Sequence, residues 1–453
     1  MVIRAGELEK RLGSGEKLNF EEIIYCNIGN PQQLGQKPIT FYRQVLSLME
    51  YPDMLEDRDL VSKFPSDVVE RAKELLQGTP GGMGAYSHSQ GIPLVRKQVA
   101  EFIGRRDGHA ADAESIFLTD GASPGVQTLL KLMLRDEKDG VMIPIPQYPL
   151  YSAGIPLFGG SQVNYFLDEE EGWGLNVQEL QRSYEKAIKG GVTPRGLVVI
   201  NPGNPTGQVL DVPNMKDIVK FCEEKNVVLL ADEVYQENIY SEAKKPFTSF
   251  KKVVCDMGAK VQLVSFHSIS KGVTGECGKR GGYYELLNFD KPVVEQIYKL
   301  ASISLCPNVP GQILLSMMIN PPKPSGPSYK RYKEETEGIY ESLRRRAKKV
   351  ADTFSKLDGI SCNPAEGAMY AFPKISLPEK AVNAAKEAKK SPDLFYTINL
   401  LENTGVCVVP GSGFGQKEGT FHFRTTILPL EHKLDAVLHK FEKFHNHFLK
   451  QYK

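Results

Sequence analysis

The chain has 453 residues, 41% hydrophobic and 25% charged, which are ordinary proportions for a globular protein of more than one domain. Its 56 basic and 55 acidic residues nearly cancel, so we expect no basic surface for nucleic acid or an anionic membrane. Widely spaced cysteines without a CxxC pair, and the lack of an HExxH motif, argue against disulfides and a metal site. No apolar run is long enough to span a membrane, and the N-terminal segment has no apolar signal core, which predicts a cytoplasmic location.

Helical patterns alternate with short β-branched runs over residues 66–320, which predicts an α/β domain built on a mostly parallel sheet. Several runs are apolar at every position, as strands covered on both faces must be. The predicted strands are residues 116–119, 141–144, 163–166, 197–200, 227–230, 261–265 and a seventh around 282–284. Helices are predicted between them, for example at 123–134 and 213–225.

A proline-rich segment at residues 320–327 predicts a domain boundary. A long charged helix at 328–357, short strand-like pieces and a final helix starting near Leu430 predict a smaller α/β domain at 321–453. Residues 1–65 lack a sheet pattern, and we expect them to form an N-terminal arm that also joins the smaller domain. His445 and His447 lie on a Lys- and Phe-rich stretch and are expected at the surface.

Polar residues follow the predicted strands of the large domain. Gly121, Tyr148, Asn204, Asp232 and Lys271 come after the first, second, fourth, fifth and sixth strands. Ligands of open α/β sheets bind beyond the carboxyl ends of the strands. These five residues are therefore predicted to share one cleft.

Lys271, in the segment HSISKG at residues 267–272, is the most informative position. A lysine amine can condense with the aldehyde of pyridoxal 5′-phosphate (PLP), whose pyridine nitrogen needs a carboxylate to stay protonated. Asp232 ends an apolar strand, where a carboxylate is costly without a cationic partner, and that partner could be the pyridine nitrogen or an ordinary lysine. The turn NPGNPTG at 201–207 holds Asn204 rigidly, although alone it would indicate only a turn.

Two segments resemble other nucleotide-binding motifs but lack their defining residues. The segment GSGFG at residues 411–415 departs from the glycine spacing of a dinucleotide-binding loop, and no helix with a following acid accompanies it. Residues 275–280 lack the Gly-Lys-Ser/Thr ending of a phosphate-binding P-loop, because Lys279 is followed by Arg280.

The ordered set of NPGNPTG, ADEVY at residues 231–235 and SISKG at 268–272 resembles fold-type I PLP-dependent aminotransferases of the aspartate aminotransferase superfamily. The resemblance covers nearly the whole chain. It implies a three-layer large domain with a mostly parallel seven-stranded sheet at residues 66–320, a smaller α/β domain, PLP as cofactor, amino acids and 2-oxo acids as substrates, and a homodimer.

The resemblance also implies roles around the cofactor ring. Lys271 would bind the aldehyde and then carry the α-proton of the substrate. Asp232 would keep the pyridine nitrogen protonated. Asn204 and Tyr235 would hydrogen-bond the phenolic oxygen, and Tyr148 would stack on the ring.

The phosphate would be held at the start of a helix by the backbone N–H groups of Ala122 and Ser123, where the helix dipole favours an anion. Ser268 and Arg280 would complete this site. Tyr86 would reach the phosphate of the partner subunit, so that the active sites would lie at the subunit interface.

Substrate binding is assigned to the segment FHFRT at residues 421–425 and to the N-terminal arm. The guanidinium of Arg424 would grip the α-carboxylate, with Asn204 beside it. Gly29 would offer a backbone N–H to the same group. Closure of the arm and the smaller domain would then exclude water.

A closer resemblance is to the alanine aminotransferase branch. It rests on residues 27–32 (NIGNPQ), 86–91 (YSHSQG), 145–151 (IPQYPLY) and 275–282 (GECGKRGG), and on the nine-residue spacing from Lys271 to Arg280. It implies reversible ping-pong transfer between L-alanine and 2-oxoglutarate, giving pyruvate and L-glutamate. Glyoxylate is an alternative acceptor, a lyase of the 1-aminocyclopropane-1-carboxylate synthase type is a second alternative, and a PLP-binding transcriptional regulator is a third, although residues 1–65 show no helix-turn-helix.

Overall fold

A seven-stranded sheet lies at the centre of the computed structural model, which describes residues 1–241 and 243–453. The strands in chain order are β1 Ile24–Tyr25, β2 Ile116–Thr119, β3 Asp139–Ile145, β4 Ser161–Phe166, β5 Thr193–Ile200, β6 Val228–Asp232, β7 Leu263–Ser268, β8 Gly282–Leu287, β9 Ile360–Ser361, β10 Tyr370–Ala371, β11 Lys374–Ile375, β12 Val406–Cys407, β13 Val409–Pro410 and β14 Phe423–Thr426. The helices are α1 Val2–Gly13, α2 Thr40–Glu50, α3 Arg58–Val61, α4 Ser66–Gln77, α5 Pro93–Asp107, α6 Ala122–Met133, α7 Pro149–Leu157, α8 Val177–Lys189, α9 Val212–Lys225, α10 Phe250–Met257, α11 Lys291–Ile303, α12 Val309–Ile319, α13 Tyr329–Phe354, α14 Glu379–Glu387, α15 Pro392–Thr404 and α16 Glu431–Tyr452.

The large sheet has the strand order β2-β8-β7-β6-β5-β3-β4. Strand β8 runs antiparallel to both of its neighbours, whereas the other pairs are parallel. The predicted α/β class with a mostly parallel seven-stranded sheet is therefore confirmed.

Helices cover both faces of this sheet, because its central strands are apolar on both sides. In β6, Leu229 packs in one core with α9 and α10, while Leu230 packs in another with α6 and α11. Both side chains are fully buried, and each such burial stabilises the fold by about 1.5–3 kcal/mol. The result is the expected arrangement of three layers.

A separate core unites α13, α15 and α16 with the short antiparallel strands β10 and β14. Strand β1 joins this part of the molecule by pairing in parallel with β12. Helix α2 instead packs with α4, α5 and α12. The first 65 residues thus contact both parts of the chain.

The final helix corrects one prediction. His445 is fully buried, where its ring bonds the hydroxyl of Tyr396 at 2.8 Å and the carbonyl of Asp358 at 2.7 Å. It lies four residues after Phe441 and so shares that residue's apolar face. The surface assignment was therefore wrong for His445, although His447 is exposed as expected.

Across the described residues, the search for a helix with the length and apolar character of a membrane span found none.

Candidate active site

A cavity of about 260 Å³ lies beyond the carboxyl ends of the parallel strands. It is lined by eleven of the residues singled out in the sequence: Gly29, Ala122, Ser123, Tyr148, Asn204, Asp232, Tyr235, Ser268, Lys271, Arg280 and Arg424. Tyr86 is not among the lining residues, and 79% of its surface is exposed. In the described part of the chain, no group of three or more His, Cys, Asp and Glu side chains is placed to hold a metal ion.

Lys271 follows β7 and points into this cavity. Its Nζ donates a hydrogen bond to the carbonyl oxygen of Gly29 at 3.0 Å and lies 5.8 Å from the ring centre of Tyr235. The next residue, Gly272, donates its N–H to the side chain of Asn238 at 2.8 Å, which fixes the turn. The amine is thus held at the junction between the sheet and the N-terminal arm.

Asp232 is the last residue of β6, and its carboxylate is buried at the floor of the cavity. The hydroxyl of Tyr151 donates to Oδ2 at 2.8 Å, but Oδ1 has no partner within the described structure. Burial raises the pKa of Asp232, while the Tyr151 hydrogen bond and the charge of Lys271 act to lower it. A cationic N–H donor in the cavity would satisfy Oδ1 and favour the carboxylate.

Asn204 and Tyr235 meet beside this carboxylate. The amide Nδ2 of Asn204 donates to the phenol oxygen of Tyr235 at 3.4 Å, and Tyr235 donates in turn to the phenol oxygen of Tyr370 at 3.2 Å. Burial acts to raise the pKa of Tyr370, but the charges of Lys271 and Arg424 and this hydrogen bond hold it below its usual value. The side chains of Asn204, Tyr235 and Tyr370 are thus linked by hydrogen bonds along one wall of the cavity.

The opposite end of the cavity is suited to an anion. Helix α6 begins at Ala122 with no side-chain cap and no acidic residue in its first turn. Arg280 extends along this terminus, where its Nη2 donates to the carbonyl of Asp120 at 2.9 Å and its Nη1 to the hydroxyl of Ser270 at 3.1 Å. A side chain at Gly121 would collide with the Arg280 guanidinium, so glycine is required there. Free N–H groups, a helix dipole and a cation therefore converge.

Arg424 lies on β14, across the cavity. Its Nη1 donates to Oδ1 of Asn204 at 3.1 Å, and its Nη2 donates to the carbonyl of Asn27. Its guanidinium lies between the rings of Tyr370, at 4.3 Å, and Phe414, at 4.5 Å. The buried Nε has no partner within the described structure, so one donor is free for a ligand.

Four lining or supporting residues were missed. Tyr151, Ser270, Cys277 and Tyr370 contact the predicted residues. A donor such as Tyr151 could have been expected from the sequence, since the buried carboxylate of Asp232 needs a hydrogen-bond donor. Tyr370 follows the site residue Asp232 by more than a hundred positions, and its contact with Tyr235 is a feature of the folded chain that no local motif signals.

Comparison with known proteins identifies the family. Residues 57–441 match the model of the family described as aminotransferase class I and II. The chain is 57% identical over 461 aligned residues to a probable mitochondrial alanine aminotransferase of Dictyostelium discoideum, covering 100% of this chain and 86% of that protein. It is 54% identical over 456 residues to glutamate–glyoxylate aminotransferase 2 of Arabidopsis thaliana, covering 100% and 93%.

Among solved structures, the fold is similar to that of an alanine aminotransferase from Pyrococcus furiosus. The TM-score is 0.76 at 25% identity, over 98% of this chain and 96% of that one. The chain belongs to the aminotransferase class I and II family. It is a PLP-dependent transaminase.

The cavity fits PLP on features of its own. The unpaired Oδ1 of Asp232 suits a protonated pyridine nitrogen, and the start of α6 beside Arg280 suits a phosphate. The amine of Lys271 lines the same cavity. The donors thus match the nitrogen, phosphate and aldehyde of the cofactor.

Proposed function

We propose that this enzyme is an alanine aminotransferase that transfers the amino group of L-alanine reversibly to 2-oxoglutarate by a ping-pong mechanism. The substrate assignment is supported by 57% identity to the Dictyostelium relative that carries this name. The chemistry is supported by one observation above all: the unpaired Asp232 Oδ1 and the unpaired Arg424 Nε line the same cavity as the amine of Lys271. A cationic N–H can therefore bind at Asp232 and a carboxylate at Arg424, within the cavity that also contains the base Lys271.

The residues proposed to hold the cofactor follow from this geometry. Lys271 binds the aldehyde, and the Asp232 carboxylate accepts a hydrogen bond from the protonated pyridine nitrogen. Asn204 and Tyr235 hydrogen-bond the phenolic oxygen, and Tyr148, at the start of α7, covers one face of the ring. The phosphate lies at the N–H groups of Ala122 and Ser123, with Ser268 and Arg280 around it.

Bound PLP supplies an electron sink for the carbanion formed at the substrate Cα. Arg424 holds the α-carboxylate of the substrate, with Asn204 and the N–H of Gly29 beside it, and so orients the Cα–H bond toward Lys271. The Lys271 amine would act as the base that takes that proton and later returns one. The rings of Tyr370 and Phe414 keep water from the guanidinium and strengthen its interaction with the carboxylate.

A second candidate is glutamate–glyoxylate aminotransferase. The Arabidopsis protein of that name is 54% identical over its 456 aligned residues, which is close to the value for the alanine enzyme. The two reactions share the donor and acceptor chemistry at the α-carbon. They differ in the side chain that the cavity must admit.

Spectroscopy of the purified holoenzyme tests the assignment. L-Alanine alone should abolish the visible absorbance of the bound cofactor, and 2-oxoglutarate should restore it as pyruvate and L-glutamate form in equal amounts. Glyoxylate consumption with glutamate, but no pyruvate from alanine, would favour the second candidate. A cyclic amino acid formed from S-adenosylmethionine would indicate a lyase of the 1-aminocyclopropane-1-carboxylate synthase type.

Borohydride reduction followed by peptide mapping tests the lysine. The cofactor should be found on Lys271, and a label on any other lysine would refute the assignment.

We further propose a homodimer with the active sites at the subunit interface. Tyr86 is largely exposed, and its neighbour His88 contacts the ring of Tyr298 at 5.7 Å. Ile303 and Leu305, which follow on the chain, are 73% and 53% exposed. Exposed apolar side chains of this size support a protein interface.

The domain limits are also proposed: an arm at residues 1–65, a large domain at 66–320 and a small domain at 321–453. Residues 320–327 lie outside helices and strands, between α12 and α13, which supports the second limit. Limited proteolysis of the holoenzyme should cut first within this segment. A first cut inside α13 would contradict the limit.

We propose a cytoplasmic location. All seven cysteines are free, as expected in a reducing compartment. The name of the Dictyostelium relative includes the word mitochondrial, and the mitochondrial matrix is also reducing. Cell fractionation with marker enzymes for both compartments decides, and recovery in the matrix fraction would overturn the proposal.

A further inference from the structure

A row of rings in contact extends from Arg424 toward a second cavity, which is lined in part by Glu169, Glu179 and His422. His422 and Arg424 are two residues apart on β14 and its approach, so their side chains leave the same face. The His422 ring stacks on Phe372 at 4.8 Å with an interplanar angle of 3°, and Phe372 contacts Phe414 edge-on at 5.9 Å. Phe414 and Tyr370 enclose the Arg424 guanidinium. We call this set the aromatic row: it consists of His422, Phe372, Phe414 and Tyr370 together with the enclosed Arg424.

The far end of the row is fixed by hydrogen bonds to the His422 ring, which is only 2% exposed. Nδ1 faces Oε1 of Gln416 at 3.0 Å, and Nε2 lies 3.1 Å from both carboxylate oxygens of Glu169. The Gln416 amide is oriented by its other end, since its Nε2 donates to Asp393 at 3.3 Å. Both ring nitrogens therefore face oxygen atoms of neighbouring side chains, which fixes the orientation of the ring. The Nζ of Lys374 also lies near the Glu169 carboxylate, at 3.7 Å.

Glu169 comes from a different part of the chain than the rest of the row. It lies in the segment after β4, at the edge of the large sheet, whereas His422 precedes β14. The side chain of Asn363 donates to the Glu169 carbonyl at 2.8 Å. From the same segment, the Trp173 ring contacts both Phe372 and His422 at 5.8 Å. The Glu169–His422 pair thus ties the large-sheet side of the molecule to the strand that carries Arg424.

We propose that Glu169 and His422 are positioning residues that hold Arg424 ready for the substrate carboxylate. The proposal rests on the proposed role of Arg424. Loss of the pair frees the His422 and Phe372 rings, and the guanidinium between Phe414 and Tyr370 then samples more conformations. That freedom must be given up each time a substrate binds, so affinity falls. The proton transfer at Lys271 is unaffected, because neither residue reaches it.

Steady-state kinetics of the holoenzyme test this with any amino and oxo acid pair that the wild type turns over. Glu169→Gln should raise KM for both substrates roughly three- to tenfold, and His422→Ala about tenfold or more, with kcat within about twofold. Both KM values should rise because both substrates present an α-carboxylate to Arg424. The Kd of 2-methylalanine, which has no Cα proton and cannot react, should rise by the same factor.

Glu179→Gln is the matched control. Glu179 lines the same second cavity and pairs with Arg182, but it does not contact the aromatic row. Its KM values should stay within about twofold of wild type. The double variant Glu169→Gln/His422→Ala should be no worse than His422→Ala alone, since both changes break one pair.

Each other outcome overturns the proposal. Unchanged KM in Glu169→Gln, an equal rise in Glu179→Gln, multiplied effects in the double variant or a fall in kcat alone would do so. If His422→Ala does not fold, the partly exposed Glu169 variant and its control carry the test. A wild type that transaminates other amino acids but not alanine refutes the proposed substrate and leaves this test intact.

Discussion

Asp232 and Arg424 each keep one buried polar atom without a partner, and each is otherwise held by hydrogen bonds. An unpaired buried polar atom costs about 1–3 kcal/mol, so a protein retains it where a ligand supplies the partner. The two atoms have opposite character, one accepting and one donating. Their placement in one cavity orients a ligand that carries a cationic N–H at one end and a carboxylate at the other.

Asp232→Asn tests the acceptor. The amide keeps the shape and can still accept from Tyr151, but it carries no charge to hold a proton on the cofactor nitrogen. We expect kcat to fall roughly 10²- to 10⁴-fold while cofactor is retained. Stopped-flow rates with L-alanine, together with cofactor content from visible absorbance, measure both quantities.

Asp139→Asn is the control for that substitution. Asp139 is also buried, but it begins β3 and pairs with Arg135 and Arg195 away from the cavity. It should lower thermal stability and leave kcat within about threefold. Equal loss of kcat in both variants would show that the Asp232 effect is structural.

Tyr370→Phe separates the hydroxyl from the ring. The ring still packs on Arg424, so KM should change less than about twofold, but Tyr235 loses the acceptor that orients its phenol. We expect kcat to fall roughly three- to tenfold, the equivalent of one neutral hydrogen bond. Unchanged kcat with a raised KM would instead place the hydroxyl in substrate binding.

Residues in linear motifs could be predicted because each motif carries its own turn or strand end. Asn204, Asp232 and Lys271 were found this way. Tyr370 could not, since its place depends on the packing of two distant parts of the chain. The surface prediction for His445 was wrong because the lysines around it suggest exposure, whereas its helical spacing from Phe441 places it on the buried face.

At the level of elements, strand existence was predicted well and strand ends less well. The apolar run at 227–230 continues in the structure to Asp232, and the run at 261–265 shifts to 263–268. Polar residues at a strand end still make the backbone hydrogen bonds of the sheet, so a prediction from hydrophobicity alone ends the strand too early. Asp232 pairs with both Ile200 and Phe266 in the register of the sheet. That pairing fixes the position of its carboxylate.

The turn after β6 carries a carboxyl group that makes stability depend on pH. Glu237 packs against Gly272, next to Lys271, and burial raises its pKa from 4.5 to about 7. A carboxyl whose pKa is raised by folding contributes stability below about pH 4.5, and that contribution is lost as pH rises through 7. Glu237→Gln removes this dependence.

We therefore expect the Gln variant to unfold at nearly the wild-type temperature at pH 4.5 and at a higher temperature at pH 8. The gain in free energy of unfolding at pH 8 should be on the order of 1–3 kcal/mol. Glu233, whose pKa burial also raises to about 7, is present in both proteins and cancels in the comparison. Exposed Glu50→Gln serves as control, and parallel pH profiles for the Glu237 variant and wild type would contradict the assignment.

For the whole molecule, residues from three parts of the chain line one cavity. Lys271 and Asp232 belong to the large sheet, Arg424 to the separate core, and Gly29 to an arm that contacts both. A ligand bridging Asp232 and Arg424 joins these parts, so we expect ligand binding to draw them together. The Glu169–His422 pair adds a second tie between the same parts.

Mixed dimers test whether two chains share each active site. Lys271→Ala should be inactive, and Tyr86→Ala should lose phosphate contacts in its partner. If Tyr86 serves the partner subunit, a mixed dimer of these two variants contains one intact site and one doubly altered site. Equimolar refolding or subunit exchange should then restore about a quarter of wild-type activity, since half of randomly paired dimers are mixed. Activity that never exceeds half that of Tyr86→Ala alone would show that Tyr86 acts within its own chain, and a monomer by light scattering would exclude the shared site altogether.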